Sequence, residues 1–366
     1  MKISRIAQLG AVAAIAALTL AGCASNEASP GGAPAESSGA ALSGTLNGSG
    51  ATSQQVAIQA WTAQFQTANP DVTVNYDPQG SGTGRESFQS GAVQFAGSDR
   101  PFKIEEIEAG PFDACVEGSD IVEIPAYVSP IAIAFNLEGV DALNLDPATI
   151  AGIFAGTITN WDDPAIAATN SGVTLPDLAI TAVHRSDKSG TTANFTDYLA
   201  QSAADAWSYG SVEEWPVQGG EAAQGTSGVV NAIKGGNGTI GYADHSQTAD
   251  LSVVSVQVGS EWVEPSAEGA AKALDASAIE EGRAATDLAF KIDRTTQEPG
   301  AYPVMLVSYL IGCAEYQDEA AAALVKGFFT SAVSEAGQKT SAENAGSAPI
   351  SSELATQSQD AIDQIK

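Results

Sequence analysis

Residues 42–76 read LSGTLNGSGATSQQVAIQAWTAQFQTANPDVTVNY, and this stretch decides the fold class. A short strand is predicted at its start, residues 48–53 are small, and a helix follows to about residue 67. Four apolar side chains mark the buried face of that helix: Val56, Ile58, Trp61 and Phe65. Asn69-Pro70 ends the helix, and a second strand is predicted at residues 72–76. Strand, small-residue turn, helix and strand in this order indicate an α/β fold.

The same kind of junction recurs further along the chain. Gly80-Ser81-Gly82-Thr83-Gly84 opens a second predicted helix, and Ser98-Asp99 ends a short strand. A further strand is predicted at residues 178–185, and Ser186-Asp187-Lys188-Ser189-Gly190-Thr191 leads from it into another helix. Between these junctions, residues 121–137 form a long β-rich run that two prolines interrupt. This run is predicted to cross between two domains.

Loops of this kind can bind anions. The first turn of a helix leaves backbone N–H groups without intrahelical partners, and the helix dipole makes that end positive. Small residues let a ligand approach the backbone, and Ser and Thr hydroxyls add donors. A single loop of this kind is more often only a cap or a turn. No loop has the Walker pattern, and the Gly-Ser-Gly-Thr-Gly run has no dinucleotide-binding context.

Two charged residues restrict the kind of ligand that such loops could bind. Arg185 lies at a strand end beside a hydroxyl-rich helix start, and a guanidinium fork with amide donors suits a tetrahedral oxyanion. Asp99 lies at a similar junction, where a carboxylate is costly unless the ligand has a proton to donate.

Composition excludes several functions. The 366 residues include 15 Lys and Arg against 44 Asp and Glu, a net charge of −29. This excess of acidic residues argues against binding to nucleic acid and against binding to an anionic lipid surface, because both need a basic protein surface. Two histidines do not support a multi-histidine metal site, and three cysteines do not support a disulfide-built scaffold. The 44% of hydrophobic residues suffices for packed cores, and the length allows two domains.

The N-terminus carries an export signal. Lys2 and Arg5 precede an apolar stretch that ends in Leu20-Ala21-Gly22-Cys23, and this ending resembles the lipobox of bacterial lipoproteins. The resemblance implies a signal peptide at residues 1–22 and diacylation of Cys23. An ordinary cleaved signal is the alternative. Residues 23–42 are rich in Ser, Pro, Gly and Ala and are predicted to be a flexible tether.

Taken in order, the motifs resemble the phosphate-binding protein family of bacterial high-affinity ABC phosphate transporters. Gly48-Ser49-Gly50-Ala51-Thr52 and Gly80-Ser81-Gly82 resemble its phosphate loops. Gly97-Ser98-Asp99 resembles its aspartate loop, and Arg185 to Thr191 its arginine loop. The resemblance implies a two-lobed periplasmic-binding-protein fold (type II) with a hinge and a ligand in the cleft. The implied phosphate-binding residues are Thr52, Ser53, Ser81, Asp99, Arg185, Ser189, Gly190 and Thr191.

The family also implies the domain organisation. Residues 44–127 and 300–366 form the first lobe, and residues 128–299 form the second. Cys115 and Cys313 then lie in one lobe and remain as an even pair in an oxidising compartment once Cys23 is acylated. A disulfide between them is expected, although the sequence does not show that their Cβ atoms meet.

Two residues depart from the expected pattern. Ser53 stands where the family often has phenylalanine, and its expected contact is through the backbone N–H. Arg100 directly follows Asp99 and is expected either to add positive charge near the cleft or to face solvent.

The expected function is a lipid-anchored extracytoplasmic receptor that delivers inorganic phosphate to ABC permease subunits, without a cofactor or an enzymatic step. A receptor for sulfate or molybdate on the same fold is one alternative, and a receptor that only signals is another. A secreted phosphatase or serine hydrolase is a third. His184 and Arg185 are neighbours on a strand and face opposite sides, so His184 is not expected to act as a catalytic base.

Overall fold

The computed structural model describes residues 41–366. The strands are β1 (Gly44–Gly50), β2 (Val72–Asp77), β3 (Phe95–Ser98), β4 (Ile121–Asn136), β5 (Leu143–Leu145), β6 (Thr181–Arg185), β7 (Glu221–Ala223), β8 (Thr239–Asp244), β9 (Ser252–Val258), β10 (Glu261–Val263), β11 (Ala278–Ile279), β12 (Phe290–Lys291) and β13 (Met305–Cys313). The helices are α1 (Gln55–Ala68), α2 (Ser81–Gln89), α3 (Ile104–Ala109), α4 (Pro147–Phe154), α5 (Pro164–Thr169), α6 (Gly190–Ser202), α7 (Gly225–Gly235), α8 (Ala267–Asp275), α9 (Glu319–Val333), α10 (Glu335–Ala345) and α11 (Ser352–Asp363). Strands and helices alternate as the sequence predicts, and the α/β class is confirmed.

One mixed sheet runs through the molecule in the order β2-β1-β3-β13-β4-β8-β6-β7. β1 lies parallel to β2 and β3, and β6 lies parallel to β7 and β8. Between these two parallel groups, β13 and β4 run antiparallel to each other and to their outer neighbours. The parallel groups are the cores of two lobes, which makes this the two-lobed fold that the resemblance implies.

β4 continues through both of its prolines and joins the two halves of the sheet. At Pro125 the register shifts, because Pro125 and Ala126 together oppose Tyr309 on β13. Pro130 is the last residue that pairs with β13, and Ile131 starts the pairing with β8. Proline has no backbone N–H and is tolerated at bulges and where pairing stops. Both prolines therefore occupy positions where a missing donor costs little.

The helix after β1 is buried on the expected face. Ile58, Trp61 and Phe65 are buried in the core, and the indole Nε1 of Trp61 donates to the Gly337 carbonyl at 2.8 Å. Phe95 on β3 packs against Phe328 with ring centroids 5.4 Å apart. The C-terminal helices α9 and α10 therefore pack on the first strands and helix of the chain.

The predicted signal peptide (1–22), Cys23 and nearly all of the tether (23–42) lie outside the described residues. Among residues 41–366, no helix combines the length and apolarity needed to cross a bilayer. In that same part of the chain, no cluster of His, Cys, Asp and Glu has an arrangement that would hold a metal ion.

Cys115 and Cys313 are joined by a disulfide, and their Cα atoms lie 5.4 Å apart. Cys313 ends β13 and pairs with Ile121 at the start of β4. Cys115 lies in the segment before β4 and makes an isolated bridge to Tyr316. The disulfide therefore fastens the segment that leads into β4 to the end of the neighbouring strand.

Asp244 is a buried carboxyl at the point where β4 changes partners. Its Oδ1 accepts hydrogen bonds from the Tyr127 hydroxyl at 3.0 Å and from the backbone N–H and hydroxyl of Ser246. Its Oδ2 is buried without a partner among the described residues. Burial raises the pKa of Asp244 to about 7, and the hydrogen bonds from Ser246, Ser129 and Tyr127 oppose the rise.

Replacing both disulfide cysteines should lower stability. The bridge closes a loop of 198 positions and removes chain entropy from the unfolded state. The variant with Cys115→Ser and Cys313→Ser should lose about 2–4 kcal/mol of the free energy of unfolding, measured by urea titration. Dithiothreitol should lower the stability of the wild-type protein by a similar amount and leave the double variant unchanged. Two free thiols at these positions in the unfolded, unreduced protein would contradict the pairing.

Asp244→Asn should change the pH dependence of stability. The carboxyl has a pKa near ~4 when unfolded and about 7 when folded. Between these values only the folded protein holds the proton, so stability falls as pH rises through this window, by ~1.4 kcal/mol per pH unit at most. Asn cannot ionise, so the stability of the variant relative to wild type should increase from pH 4 to 7.

Urea unfolding at a series of pH values measures this difference. The matched control is Asp141→Asn, because Asp141 is exposed. A difference between Asp244→Asn and wild type that stays constant from pH 4 to 7 would show that Asp244 does not titrate in this range.

Candidate functional site

The eight predicted binding residues lie together where the loops of the two lobes meet. They come from the β1–α1 connection, the start of α2, the end of β3, the end of β6 and the start of α6. All eight are buried: Thr52, Ser53, Ser81, Asp99, Arg185, Ser189, Gly190 and Thr191. We call this set the interlobe site.

Asp99 is the centre of the interlobe site. Its Oδ1 accepts hydrogen bonds from the hydroxyls of Ser53 at 2.5 Å and Ser308 at 2.8 Å, and its Oδ2 accepts from the Thr191 hydroxyl at 2.9 Å. The Asp99 backbone N–H donates to Ser81 Oγ at 3.1 Å. A carboxylate can accept about four hydrogen bonds, so three hydroxyls leave it room for one more donor.

Burial and hydrogen bonding act in opposite directions on this carboxyl. Asp99 is only 3% exposed. Burial raises the pKa of Asp99, while the three hydroxyl donors and the nearby charge of Arg185 oppose the rise. Burial has the larger effect, so the pKa of Asp99 lies above the ordinary value of an aspartate, although the three hydroxyls orient their O–H bonds toward its ionised form.

Two helix N-termini face each other across the site. Ser81 is the first residue of α2, and Gly190 is the first residue of α6. Ser189 caps α6 and accepts a hydrogen bond from the Thr192 N–H at 3.1 Å. A Cβ on residue 190 would lie 2.5 Å from Ser81 Oγ and 2.7 Å from Asp99 Cβ, so only glycine fits. The first-turn N–H groups of both helices are therefore brought to one place.

Arg185 is held by its neighbour Asp187. The guanidinium Nε donates to Asp187 Oδ1 at 2.8 Å, and Nη2 donates to Oδ2. The Gly225 N–H also donates to Asp187 Oδ1, at 3.0 Å. This fork fixes the plane of the guanidinium and leaves Nη1 as its nitrogen without a partner in the described part of the chain.

Thr52 joins the two lobes on the opposite side of the site. Its hydroxyl lies 2.9 Å from the Thr226 hydroxyl and accepts from the Thr226 N–H at 3.0 Å. Gln247 Nε2 donates to the Thr52 carbonyl at 3.2 Å. Loops of the second lobe thus contact the loop that follows β1.

The side chain of His184 packs on an aromatic ring. Its ring stacks on Trp215, with centroids 5.1 Å apart and planes 12° apart. Its two ring nitrogens lie near the carbonyls of Arg185 and Gly219. No serine hydroxyl among the described residues is hydrogen-bonded to this ring, so the arrangement of a nucleophile activated by histidine is not formed here.

Some residues that contact the interlobe site were not identified from the sequence. Ser308 comes from β13 and is 209 positions from Asp99, with no local motif to mark it. Asn194 donates from Nδ2 to the Asp99 carbonyl at 2.6 Å and to the Gly190 carbonyl at 2.9 Å. Its position one helical turn after Gly190 was the available signal. Ser53 also donates from its hydroxyl to Asp99, a contact that the sequence did not suggest.

Comparisons with known proteins agree with this architecture. A model described as a PBP superfamily domain matches residues 35–336. The chain is 34% identical over 376 aligned positions to the phosphate-binding protein PstS 3 of Mycobacterium tuberculosis, with 100% of both chains covered. It is 30% identical to the phosphate-binding protein PstS of Xylella fastidiosa, covering 78% of this chain and 76% of that protein.

A solved structure shows the same fold. The phosphate-bound high-affinity periplasmic phosphate-binding protein PfluDING has a TM-score of 0.70 at 23% identity, covering 87% of this chain and 93% of its own. From the family model and the full-length PstS relatives, the chain belongs to the PBP superfamily and, within it, to the PstS family of phosphate-binding proteins.

Proposed function

We propose that this protein is an extracytoplasmic receptor that binds inorganic phosphate between its lobes and delivers it to the permease subunits of an ABC transporter. The observation that carries the proposal is the surroundings of Asp99, a buried acceptor inside a site that is otherwise made of donors. The names of the PstS relatives support the same ligand.

The donors suit a tetrahedral oxyanion. Arg185 supplies Nη1 from a guanidinium fixed by Asp187, and the N-termini of α2 and α6 supply backbone N–H groups. Hydroxyls of the interlobe site can rotate from their present partners toward ligand oxygens. In a closed, largely dry cleft, such directed hydrogen bonds are stronger than in water. The anion therefore needs no long-range attraction from a chain whose net charge is −29.

Asp99 selects for a protonated oxyanion. Phosphate retains at least one proton near neutral pH, and its P–OH can donate to the position that the three hydroxyls leave open. Sulfate has no proton and would place its lone pairs against the Asp99 charge. Buried acceptors that face acceptors are penalised strongly, since neither group is compensated by water. This penalty would make the site bind phosphate and arsenate more tightly than the alternative ligands sulfate and molybdate.

The lobes are proposed to consist of residues 44–127 with 300–366 and of residues 128–299. Packing of α9 and α10 on α1 and β3 supports the discontinuous first lobe. The two lobes would close over the anion by bending where β4 changes partners.

The function requires no reaction. The protein is proposed to bind and release phosphate unchanged, and the stacked position of His184 supports this over a secreted phosphatase or serine hydrolase. Assays of phosphate release and ester hydrolysis on the purified protein distinguish the two classes.

The protein is proposed to be held at the membrane surface by a diacylated Cys23, as the lipobox motif indicates. Two acyl chains suffice for stable anchoring, whereas one chain is marginal.

Asp99→Asn should relax anion selectivity. An amide can both accept and donate, so the variant should keep phosphate and arsenate binding within about tenfold and gain measurable sulfate binding. The wild-type protein should prefer phosphate over sulfate by about 10⁴-fold or more, as in other sites built around one buried hydrogen bond. Isothermal titration calorimetry with phosphate, arsenate and sulfate measures these affinities.

The matched control is Asp71→Asn, because Asp71 is exposed and lies before β2. It should bind all three anions as the wild-type protein does. If the wild-type protein binds sulfate as tightly as phosphate, Asp99 is not the selecting group, and if phosphate does not bind at all, the proposed function is wrong.

Cys23→Ala should release the protein from the membrane. The wild-type protein should incorporate labelled palmitate and partition into detergent, and the variant should do neither, because the alanine has no thiol to acylate. Ser25→Ala is the control and should behave as wild type. Membrane retention of the Cys23→Ala variant would refute the anchor without affecting the proposed ligand.

A further inference from the structure

A group of charged side chains joins the two lobes outside the interlobe site. Glu213 lies between α6 and β7 in the second lobe, and both of its carboxylate oxygens accept from Arg85 Nη2 at 2.7 Å. Its Oε2 also accepts from Arg100 Nη2 at 2.7 Å. Arg85 is on α2 and Arg100 follows β3, both in the first lobe. We call Arg85, Arg100 and Glu213 the interlobe clasp.

The clasp is largely shielded from water on the side of Arg85. The Arg85 side chain is 4% exposed and that of Glu213 is 18% exposed. The guanidinium of Arg85 lies 5.7 Å from the centroid of the Phe102 ring and donates from Nη1 to Ser98 Oγ at 2.7 Å. Its carboxylate partner comes entirely from the opposite lobe. A buried guanidinium separated from its counter-charge must be hydrated again, so opening of the cleft breaks these bonds and exposes Arg85 to water.

The charges hold Glu213 in its ionised form. Burial acts to raise the pKa of Glu213, but Arg85 and Arg100 outweigh it, and the pKa lies below its ordinary value. Arg100 is fixed from the other side by Glu106, whose oxygens accept from Nη1 and Nη2 at 2.8 Å. Arg100 therefore lies beside the cleft, as one of the two expectations had it, and its charge is paired by Glu106 and Glu213.

The clasp is connected directly to the interlobe site. Arg100 follows Asp99 in the chain, and its carbonyl accepts from the Ser98 hydroxyl at 2.5 Å. The Glu213 carbonyl accepts from the backbone N–H of Ser189, the cap of α6, at 3.1 Å. Glu213 therefore couples the loop that carries Asp99 to the start of α6, through its carboxylate on one side and its backbone carbonyl on the other.

Another ion pair between the lobes is more exposed. Lys188 pairs with Glu86, but their side chains are 45% and 58% exposed. Exposed pairs contribute little, because water competes and both side chains lose entropy. Of these two links, the clasp has the burial that makes its loss costly. A cavity of about 490 Å³ borders it and gives water access once the carboxylate moves away.

We propose that Glu213 is a positioning residue that slows the release of the bound anion by holding the cleft closed, without touching the anion. This rests on the proposed function, in which phosphate is enclosed between the lobes. Because the clasp exists only when the lobes meet, its bonds add to the barrier for opening and not to the encounter with phosphate.

The test compares Glu213→Gln with the wild-type protein. The variant has nearly the same shape but lacks the charge that the two arginines bind. Release of [³²P]phosphate, chased with unlabelled phosphate, should accelerate by about tenfold or more, and the association rate should stay within about threefold. Glu213→Asp keeps the charge and should show a smaller acceleration. The matched control is Glu214→Gln at the exposed neighbouring position, which should release phosphate at the wild-type rate.

Arg100→Gln provides a second route to the same result if Glu213→Gln does not fold. It should also accelerate release, and combining it with Glu213→Gln should add less than the sum of the two single effects, because both remove one shared interaction. A release rate equal to wild type in folded Glu213→Gln or folded Arg100→Gln would overturn the proposal.

A measurement without ligand separates this inference from the proposed function. The radius of gyration of the ligand-free protein, measured by small-angle X-ray scattering, should be larger for Glu213→Gln than for wild type and Glu214→Gln, because loss of the clasp favours opening. If phosphate fails to bind but the radius of gyration still increases in Glu213→Gln, the proposed function is wrong, while the role of Glu213 in holding the lobes together is supported. If phosphate binds but Glu213→Gln leaves both release and radius of gyration unchanged, the clasp is refuted alone.

Discussion

The buried carboxylate of Asp99 accepts hydrogen bonds from three hydroxyls that come from distant parts of the chain. Ser53, Thr191 and Ser308 lie 46, 92 and 209 positions away from it. A carboxylate taken out of water requires such partners, because an uncompensated charge in the interior is strongly unfavourable. Thr191 belongs to the second lobe, so Asp99 has all three of these donors only when the lobes meet. The need of one buried charge for partners thus links the surroundings of Asp99 to the contact between the lobes.

The two lobes are parts of one continuous sheet and are joined by a shared strand. β4 pairs with β13 along its first part and with β8 along its last, so one strand belongs to both lobes. The disulfide fastens the segment that leads into β4 to the end of β13. Loops at the ends of β1, β3 and β6 are then carried by two stable bodies that share a short connection. Each lobe can therefore hold its own side chains in place while the two lobes move relative to each other.

Local patterns predicted loops that can bind an anion, because each loop combines small residues with a helix start. The eight residues of the interlobe site were assigned through the resemblance to the phosphate-binding family, and the structure brings all eight together. Ser308 and Glu213 could not be found in this way, because their roles depend on contacts across 209 and 128 positions. The prolines of β4 suggested an interruption, yet the strand continues, since a bulge and a change of partner remove the need for their missing N–H groups. The domain boundaries remain a prediction.

The stacking of Trp215 has a spectroscopic consequence. Its indole lies against His184 on one strand and 5.7 Å from Tyr242 on another, and it is only two positions from Glu213. Indole emission depends on the polarity and the aromatic neighbours of the ring, and the segment that carries Trp215 is anchored to the first lobe through Glu213. His184 and Tyr242 belong to the same lobe as Trp215 and move with it when the cleft opens. The emission of Trp215 therefore reports whether the second lobe keeps its packing, independently of the distance between the lobes.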